Sequence, residues 1–285
     1  MKTLNQYLVE AKTSQHVMGH FNFADSVTFN AIVAVAKKLG VAVMLGTSEG
    51  ERNLLTLATA VAMVRGVREA TGLPIFLNAD HSKSMETFKT AVDAGYDSVH
   101  FDGSELSYTD NLRLTKEAVA YARAKNPDIS VEGELGYIAG SSQVHKQAVE
   151  VRPEFYTQPE QAAEFAVATG IDRLAVVIGN IHGVSLAGNP RLDIERLKSI
   201  GWSVPPLVSL TLHGGSGIPD HEIKAALPHG LSNIHVNTEI RVAYETALRD
   251  FFVSHPNETT PYKFFAPTIA AVEKLIEQKL KLFGN

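Results

Sequence analysis

Val208-Ser209-Leu210-Thr211-Leu212-His213-Gly214-Gly215-Ser216-Gly217 is the stretch from which the fold is read. An apolar run with strand character ends in a histidine, a loop of three glycines and a hydroxyl follows, and Ile218-Pro219-Asp220 leads into a helical segment. Imidazole is a good zinc ligand, and backbone N–H groups relieved of side chains by glycine can cradle a phosphate. Taken alone, the stretch fits a metal site beside an anion site, and it equally fits a Gly-rich turn with an incidental histidine.

The rest of the chain repeats the pattern. Eight segments have strand character: Val17–Phe23, Val41–Gly46, Pro74–Asp80, Ser98–Asp102, Ser130–Leu135, Arg173–Ile178, Leu207–Leu212 and Asn233–Val236. Segments of helical periodicity separate them, as in Phe29, Ile32, Val33, Val35, Ala36 and Leu39. Gly40, Gly72, Gly95, Gly170, Gly201 and Gly230 stand where such helices would end, a place that favours glycine. Eight βα units build either an open doubly wound sheet or a closed (β/α)8 TIM barrel.

Polar residues gather at the C-terminal ends of the strands, which favours the barrel, whose sites are built there. Those ends carry Asn22, Thr47-Ser48, Asp80-His81, Asp102, Glu132 and Glu134, Asn180 and His182, His213, and His235 with Asn237-Thr238. One domain spanning residues 1–285 is expected. Leu4, Tyr7, Leu8 and Ala11 share one face of an opening helix. An amphipathic helix from Glu239 to Phe252 precedes a C-terminal helical arm, about residues 253–285, striped by Ile269, Val272, Leu275, Ile276, Leu280 and Phe283. The arm packs either on its own barrel or on a neighbouring subunit.

Hydrophobic residues make up 45% and charged residues 20%, a composition able to build a large core. A net charge of -5 gives no global attraction to nucleic acid or an anionic membrane. The N-terminus lacks the apolar core of a signal peptide, and no apolar run approaches the ~20 residues of a membrane span. A cytoplasmic protein is expected, with small molecules and copies of itself as partners. No cysteine is present, so a metal must use His, Asp or Glu.

His81, His182 and His213, arriving from separate strands, make a three-imidazole zinc site with an open position. Asp102 and Glu134 either hold a second cation, divalent or monovalent, or orient the imidazoles. Asp80 beside His81 either moves a proton on a substrate hydroxyl or merely orients an imidazole. Glu132 and Glu134 share one strand face, and either could carry a proton.

Asp80-His81, Phe101-Asp102-Gly103-Ser104, Glu132-Gly133-Glu134-Leu135-Gly136, Asn180-Ile181-His182-Gly183, His213-Gly214-Gly215-Ser216-Gly217 and Val236-Asn237-Thr238-Glu239 together resemble the class II, zinc-dependent ketose-bisphosphate aldolases. The resemblance runs from about Val17 to Phe252. It implies reversible cleavage of a ketose bisphosphate, fructose 1,6-bisphosphate foremost, to dihydroxyacetone phosphate and an aldehyde such as glyceraldehyde 3-phosphate. It further implies that His81, His182 and His213 hold the catalytic Zn2+, that Asp102 and Glu134 match a second metal position, and that Asp80 is the proton donor. By the same resemblance Gly183, Gly214, Gly215, Ser216, Asn237 and Thr238 bind dihydroxyacetone phosphate. Ser48 lies near the aldehyde half, and Asn22 and His235 complete the substrate set. A homo-oligomer, dimer or tetramer, is expected.

The chain departs from the family pattern at four places. Asn78 stands where histidine is usual, and His235 where asparagine is usual. The loop after Glu134-Leu135-Gly136, commonly acidic, reads Gly140-Ser141-Ser142, and Thr260-Pro261-Tyr262 replaces an Asp-Pro-Arg whose arginine reaches the distal phosphate. A metal-dependent barrel hydrolase and a non-catalytic phosphosugar-binding relative are the alternative readings.

Overall fold

The computed structural model describes residues 2–14 and 16–285. Helix α1 (Leu4–Ser14) is followed by β1 (Met18–Asn22), α2 (Ser26–Leu39), β2 (Val43–Thr47), α3 (Glu49–Leu55), α4 (Leu57–Thr71) and β3 (Ile75–Ser82). Then come α5 (Met85–Ala94), β4 (Ser98–Phe101), α6 (Tyr108–Lys125), β5 (Ser130–Leu135), β6 (Gly140–His145), α7 (Pro159–Thr169), β7 (Arg173–Val176) and β8 (His182–Ser185). The chain ends with α8 (Ile194–Ser203), β9 (Ser209–Leu212), α9 (Asp220–Ala226), β10 (Leu231–Val236), α10 (Thr238–Ser254) and α11 (Pro261–Leu282).

Eight strands close into a parallel barrel in the order β1-β10-β9-β7-β5-β4-β3-β2. This is the (β/α)8 TIM barrel that the alternating pattern predicts. All eight expected strands form, with small shifts at their ends: β7 stops at Val176, β3 runs on to Ser82 and β10 begins at Leu231. Two readings need correction. Gly201 does not end a helix but lies within α8, where a Cβ would meet the His229 carbonyl oxygen at 2.6 Å, so close packing explains it. And His182 is not at the end of a barrel strand: it opens β8, which pairs in parallel with β6 as a separate two-stranded ribbon.

Side chains alternate along each strand, and the two parities have opposite chemistry. Val43, Leu45, Leu77, Val99, Phe101, Val131, Leu174, Leu210, Leu212 and Ile234 join the apolar cluster between barrel and helices. The intervening residues fill the barrel with polar groups: His20, Asn78, Ser98, His100, Ser130, Glu132, Arg173, Thr211 and Asn233 are all buried. Gly46 permits this filling, because a Cβ there would lie 2.0 Å from the His20 ring. At the N-terminal end, Leu4 and Leu8 of α1 pack on Met18, Met44 and Phe76 as a small apolar stopper.

The C-terminal arm lies on its own barrel. Helix α11 packs against α10, α2 and β1. Its end is tied to the start of β1, since Val17 N donates to the Phe283 carbonyl at 2.9 Å and Asn285 Nδ2 donates to the Val17 carbonyl at 2.8 Å.

Candidate metal and substrate site

Adjacent residues of a regular strand face opposite ways, so Asp80 and His81 could not both enter the barrel mouth from an undistorted β3. The pairing of β3 with β4 slips between Ala79 and Ser82, and His81 has φ +49°, in the left-handed region. This bulge brings both side chains into one cavity. Left-handed backbone costs a non-glycine residue roughly 1–2 kcal/mol, so something must hold it. Arg52, buried on α3, does so. Its guanidinium donates to the carbonyls of Thr47, Asp80 (3.2 Å) and His81 (3.3 Å).

His81 and His213 each have one ring nitrogen committed and one left for a ligand. His81 Nδ1 is 2.8 Å from Asp102 Oδ2, which directs Nε2 inward, and that buried nitrogen has no partner. His213 Nε2 bonds Glu132 Oε1 at 2.7 Å, leaving Nδ1 for another ligand. Ring centroids lie 5.0 Å apart for His81 and His182, 4.6 Å for His81 and His213, and 6.3 Å for His182 and His213. Three imidazoles sharing one zinc at about 2.0–2.1 Å would have centroids roughly 5 Å apart; the two pairs that include His81 meet that spacing, while His182 and His213 would have to draw closer to share the ion. Burial, with the neighbouring imidazoles, pushes His182 down to about 3 and His213 well below its ordinary value, which keeps both neutral, the form a metal requires.

Asp102 and Glu134 sit on the far side of His81, with Glu134 Oε2 3.7 Å from His81 Nδ1. Burial and then the charge of Asp102 raise Glu134, and a cation would relieve that crowding. His100, which the strand-end reading missed, joins them. Its Nε2 lies 3.2 Å from Glu134 Oε2 without the alignment of a hydrogen bond, and neither ring nitrogen has a hydrogen-bond partner. Among the described residues, Asp80, His81, His100 and His213 are the largest of four sets whose ligating atoms lie within 4.8 Å of one another; His182 belongs to none of them and lines the same cavity, half-buried.

Glu132 is fixed, not free to carry a proton. It accepts from His213 and pairs with Arg173, whose guanidinium also donates to Ser98, Asn78 (3.1 Å), Asn233 (3.3 Å) and Ser130 (3.3 Å). Above this network, Asp80 accepts from Asn22 Nδ2 at 3.0 Å and approaches His235 Nδ1 at 3.2 Å. The His235 ring stacks on His20 at 3.5 Å.

The cavity, about 580 Å³, is lined by Asn22, Ser48, Glu51, Asp80, His81, His182, Gly183, His213, Gly214, Ser216, His235, Asn237 and Thr238, among others. That volume suits a small-molecule ligand. Gly214 has φ +66° and would put a Cβ 1.9 Å from the Ile181 carbonyl oxygen, so the turn admits only glycine. Gly215, expected to bind substrate, does not line the cavity. Its N–H is spent on the His235 carbonyl (2.8 Å), and the Gly217 N–H is spent on Glu239 (3.0 Å). Tyr262 is 75% exposed at the start of α11, outside the cavity. Lys263 pairs with Glu258, and Arg52 is committed to carbonyls. Among the described residues, Arg241 is the cation that lines the cavity.

The sequence profile of the family described as "Fructose-bisphosphate aldolase class-II" matches residues 2–285. The chain belongs to the class II fructose-bisphosphate aldolase family and is an aldolase, an enzyme of the lyase class. A fructose-bisphosphate aldolase of Staphylococcus aureus is 33% identical, covering 99% of this chain and 97% of its own. One from Geobacillus stearothermophilus is 34% identical over 99% and 96%. The crystal structure of the YdjI aldolase from Escherichia coli K12 superposes with a TM-score of 0.84 at 30% identity, over 99% of this chain and 96% of the other. Among the described residues no helix is long and apolar enough to cross a membrane.

Proposed function

We propose that the protein catalyses reversible, zinc-dependent cleavage of a ketose phosphate to dihydroxyacetone phosphate and an aldehyde, with fructose 1,6-bisphosphate the first substrate to test. The observation that supports this reading is the closeness of the His81 ring to those of both His182 and His213, with Asp80 in the same cavity, walled by the Gly183 and Gly214 turns. Zinc held by the three histidines supplies, when bound, an electrophile that draws electron density from the substrate carbonyl. Asp102 and Glu134, with His100 against them, would hold a second cation.

The chain's own groups do the rest. Asp80 takes the proton of the hydroxyl on the carbon that becomes the aldehyde, and Asn22 and His235 hold its carboxylate in place. Gly183, Gly214, Ser216, Asn237 and Thr238 line the end of the cavity assigned to the phosphate. Glu132, braced by Arg173, orients the His213 ring. A single aldolase domain over residues 1–285, assembly as a homo-oligomer and a cytoplasmic location belong to the same proposal and rest on the family.

The test is release of dihydroxyacetone phosphate from a panel of ketose mono- and bisphosphates by zinc-loaded protein, abolished by a chelator. His182→Ala and His213→Ala are expected to lose both metal and activity. Turnover on no member of the panel, or full zinc retention in both variants, would overturn the reading.

A further inference from the structure

Aldol cleavage moves two protons at two different atoms: one leaves a hydroxyl as the carbon–carbon bond breaks, and one arrives at the carbon that keeps the electron pair. Asp80 accounts for the first. On the ribbon side, residues 136–145 supply no carboxylate for the second, and Tyr137 and His145 do not line the cavity, the His145 Nε2 being engaged with the Ser141 and His182 carbonyls. Apart from Asp80, the carboxylates lining the cavity are Asp25 and Glu51. Asp25 is engaged as the cap of α2, accepting from Thr28 N at 2.8 Å.

Glu51 is placed differently. One of its oxygens accepts from Ser48 N at 2.7 Å, which together with the Ser48 side chain completes the capping box of α3. Capping needs no more than that. Yet the same carboxylate also accepts from Asn22 Nδ2 at 2.9 Å and from Asn237 Nδ2 at 3.2 Å, two residues assigned to substrate binding. The Asn22 amide donates in addition to Asp80 at 3.0 Å, so one NH2 group holds two carboxylates side by side on one wall.

We propose that Glu51 is the second proton carrier of the cavity, a role that rests on the aldolase reading above. In the cleavage direction the substrate O–H proton passes to Asp80 and the carbon–carbon bond breaks. The electron pair forms an enediolate, and the O–H of the Glu51 carboxyl gives its proton to the carbanionic carbon. Asp80 then holds one proton and Glu51 has lost one, and exchange with cavity water restores both. Burial, and with it the charge of Asp80, raises Glu51 above the usual carboxylate range, as an acid of this kind requires.

The half-reaction isolates this step. Zinc-loaded protein incubated with dihydroxyacetone phosphate alone in D2O exchanges one hydroxymethyl hydrogen, followed by NMR. Glu51→Gln keeps an acceptor for Ser48 N and removes the acid. It is expected to slow exchange by roughly 10²–10⁴-fold, the usual worth of a positioned acid or base, with zinc content, melting temperature and affinity for dihydroxyacetone phosphate retained. Asp80→Asn is expected to impair cleavage far more than exchange, since exchange involves no aldehyde-forming hydroxyl. Wild-type exchange in Glu51→Gln overturns this proposal alone. Neither exchange nor cleavage by the unsubstituted protein overturns the aldolase reading with it.

Discussion

Replacing Arg52 with methionine removes a buried guanidinium while preserving much of its volume. Three carbonyls lose a charged donor, those of Thr47, Asp80 and His81, the last two at 3.2 and 3.3 Å. Hydrogen bonds to charged groups are worth about 1.5–3 kcal/mol each. The two longer bonds fall at the low end, and burial of the guanidinium, which lowers its pKa, offsets part of the sum. A net loss of about 3 kcal/mol follows. For a chain of this size that corresponds to a fall in melting temperature of roughly 5 °C.

The consequence reaches the metal. Without the clamp, the roughly 1–2 kcal/mol of left-handed strain at His81 is relieved by relaxation of the bulge, which turns the imidazole away. Zinc affinity is expected to fall about 10–100-fold, as for other groups that orient ligands. Melting curves recorded with a chelator and competition titrations with zinc measure the two effects separately. Arg52→Lys should restore little, because an ammonium lacks the planar fork that spans adjacent carbonyls. A methionine variant with unchanged melting temperature and unchanged zinc affinity would refute the reasoning.

Asp80→Ala is expected to retain zinc and fold while kcat falls by roughly 10²–10⁴, and near-native turnover would assign the hydroxyl proton elsewhere. In metal-free protein burial works to lower His81, but the charge of Asp80, the hydrogen bond with Asp102 and the charge of Glu134 outweigh it and push His81 from 6.5 up to about 10. A raised folded pKa means stability that is full below about pH 6.5 and lost as pH rises through about 10, so chelated protein should melt lower at pH 10.5 than at pH 6. Zinc binding at pH 7.5 should then release about one proton, measurable by calorimetry in two buffers of different ionisation enthalpy, and a value near zero would contradict the assignment. With Tyr262 outside the cavity, kcat/KM for fructose 1,6-bisphosphate should exceed that for fructose 1-phosphate by less than about a thousandfold, or about 4 kcal/mol. A larger preference would identify a compensating cation, and Arg241→Ala is the variant that tests the first candidate.

The barrel was legible because it is written in alternation: strand-sized apolar runs, helical periods and glycines between them. The histidines and carboxylates were legible where they stand at strand ends. What escaped lies one pleat deeper. Two residues back from Asn22, Asp80, Asp102, His213 and His235 stand His20, Asn78, His100, Thr211 and Asn233, all buried in the barrel, of which Asn78 was singled out only as a departure from the family pattern. The same period of two that paired Glu132 with Glu134 would have found them, had polar residues inside apolar strands been followed inward. Arg173 gave no such signal, since a lone arginine opening a strand normally reads as a solvated end. Its oxygen partners come from four other strands, β3, β4, β5 and β10, and only closure of the barrel brings them together. Glu51 was hidden for a similar reason, its capping role being local and its contacts with Asn22 and Asn237 lying 29 and 186 residues away.

The ribbon of β6 and β8 divides the metal site between two kinds of support. His81 and His213 come from barrel strands or their ends, sealed by the apolar cluster, whereas His182 rides on a ribbon whose β6 residues are largely exposed. The His145 ring bridges the ribbon by donating from Nε2 to the His182 carbonyl at 2.9 Å, with Ser141 O at 3.0 Å. Few buried contacts mean a low local opening free energy. In the proposed zinc site, ligation at His182 would therefore tether the least protected part of the wall to the most protected. Amide hydrogen exchange should register this as slowing in residues 140–145 and 182–185 on addition of zinc, while amides in the middle of the barrel strands, already near the global limit, change little.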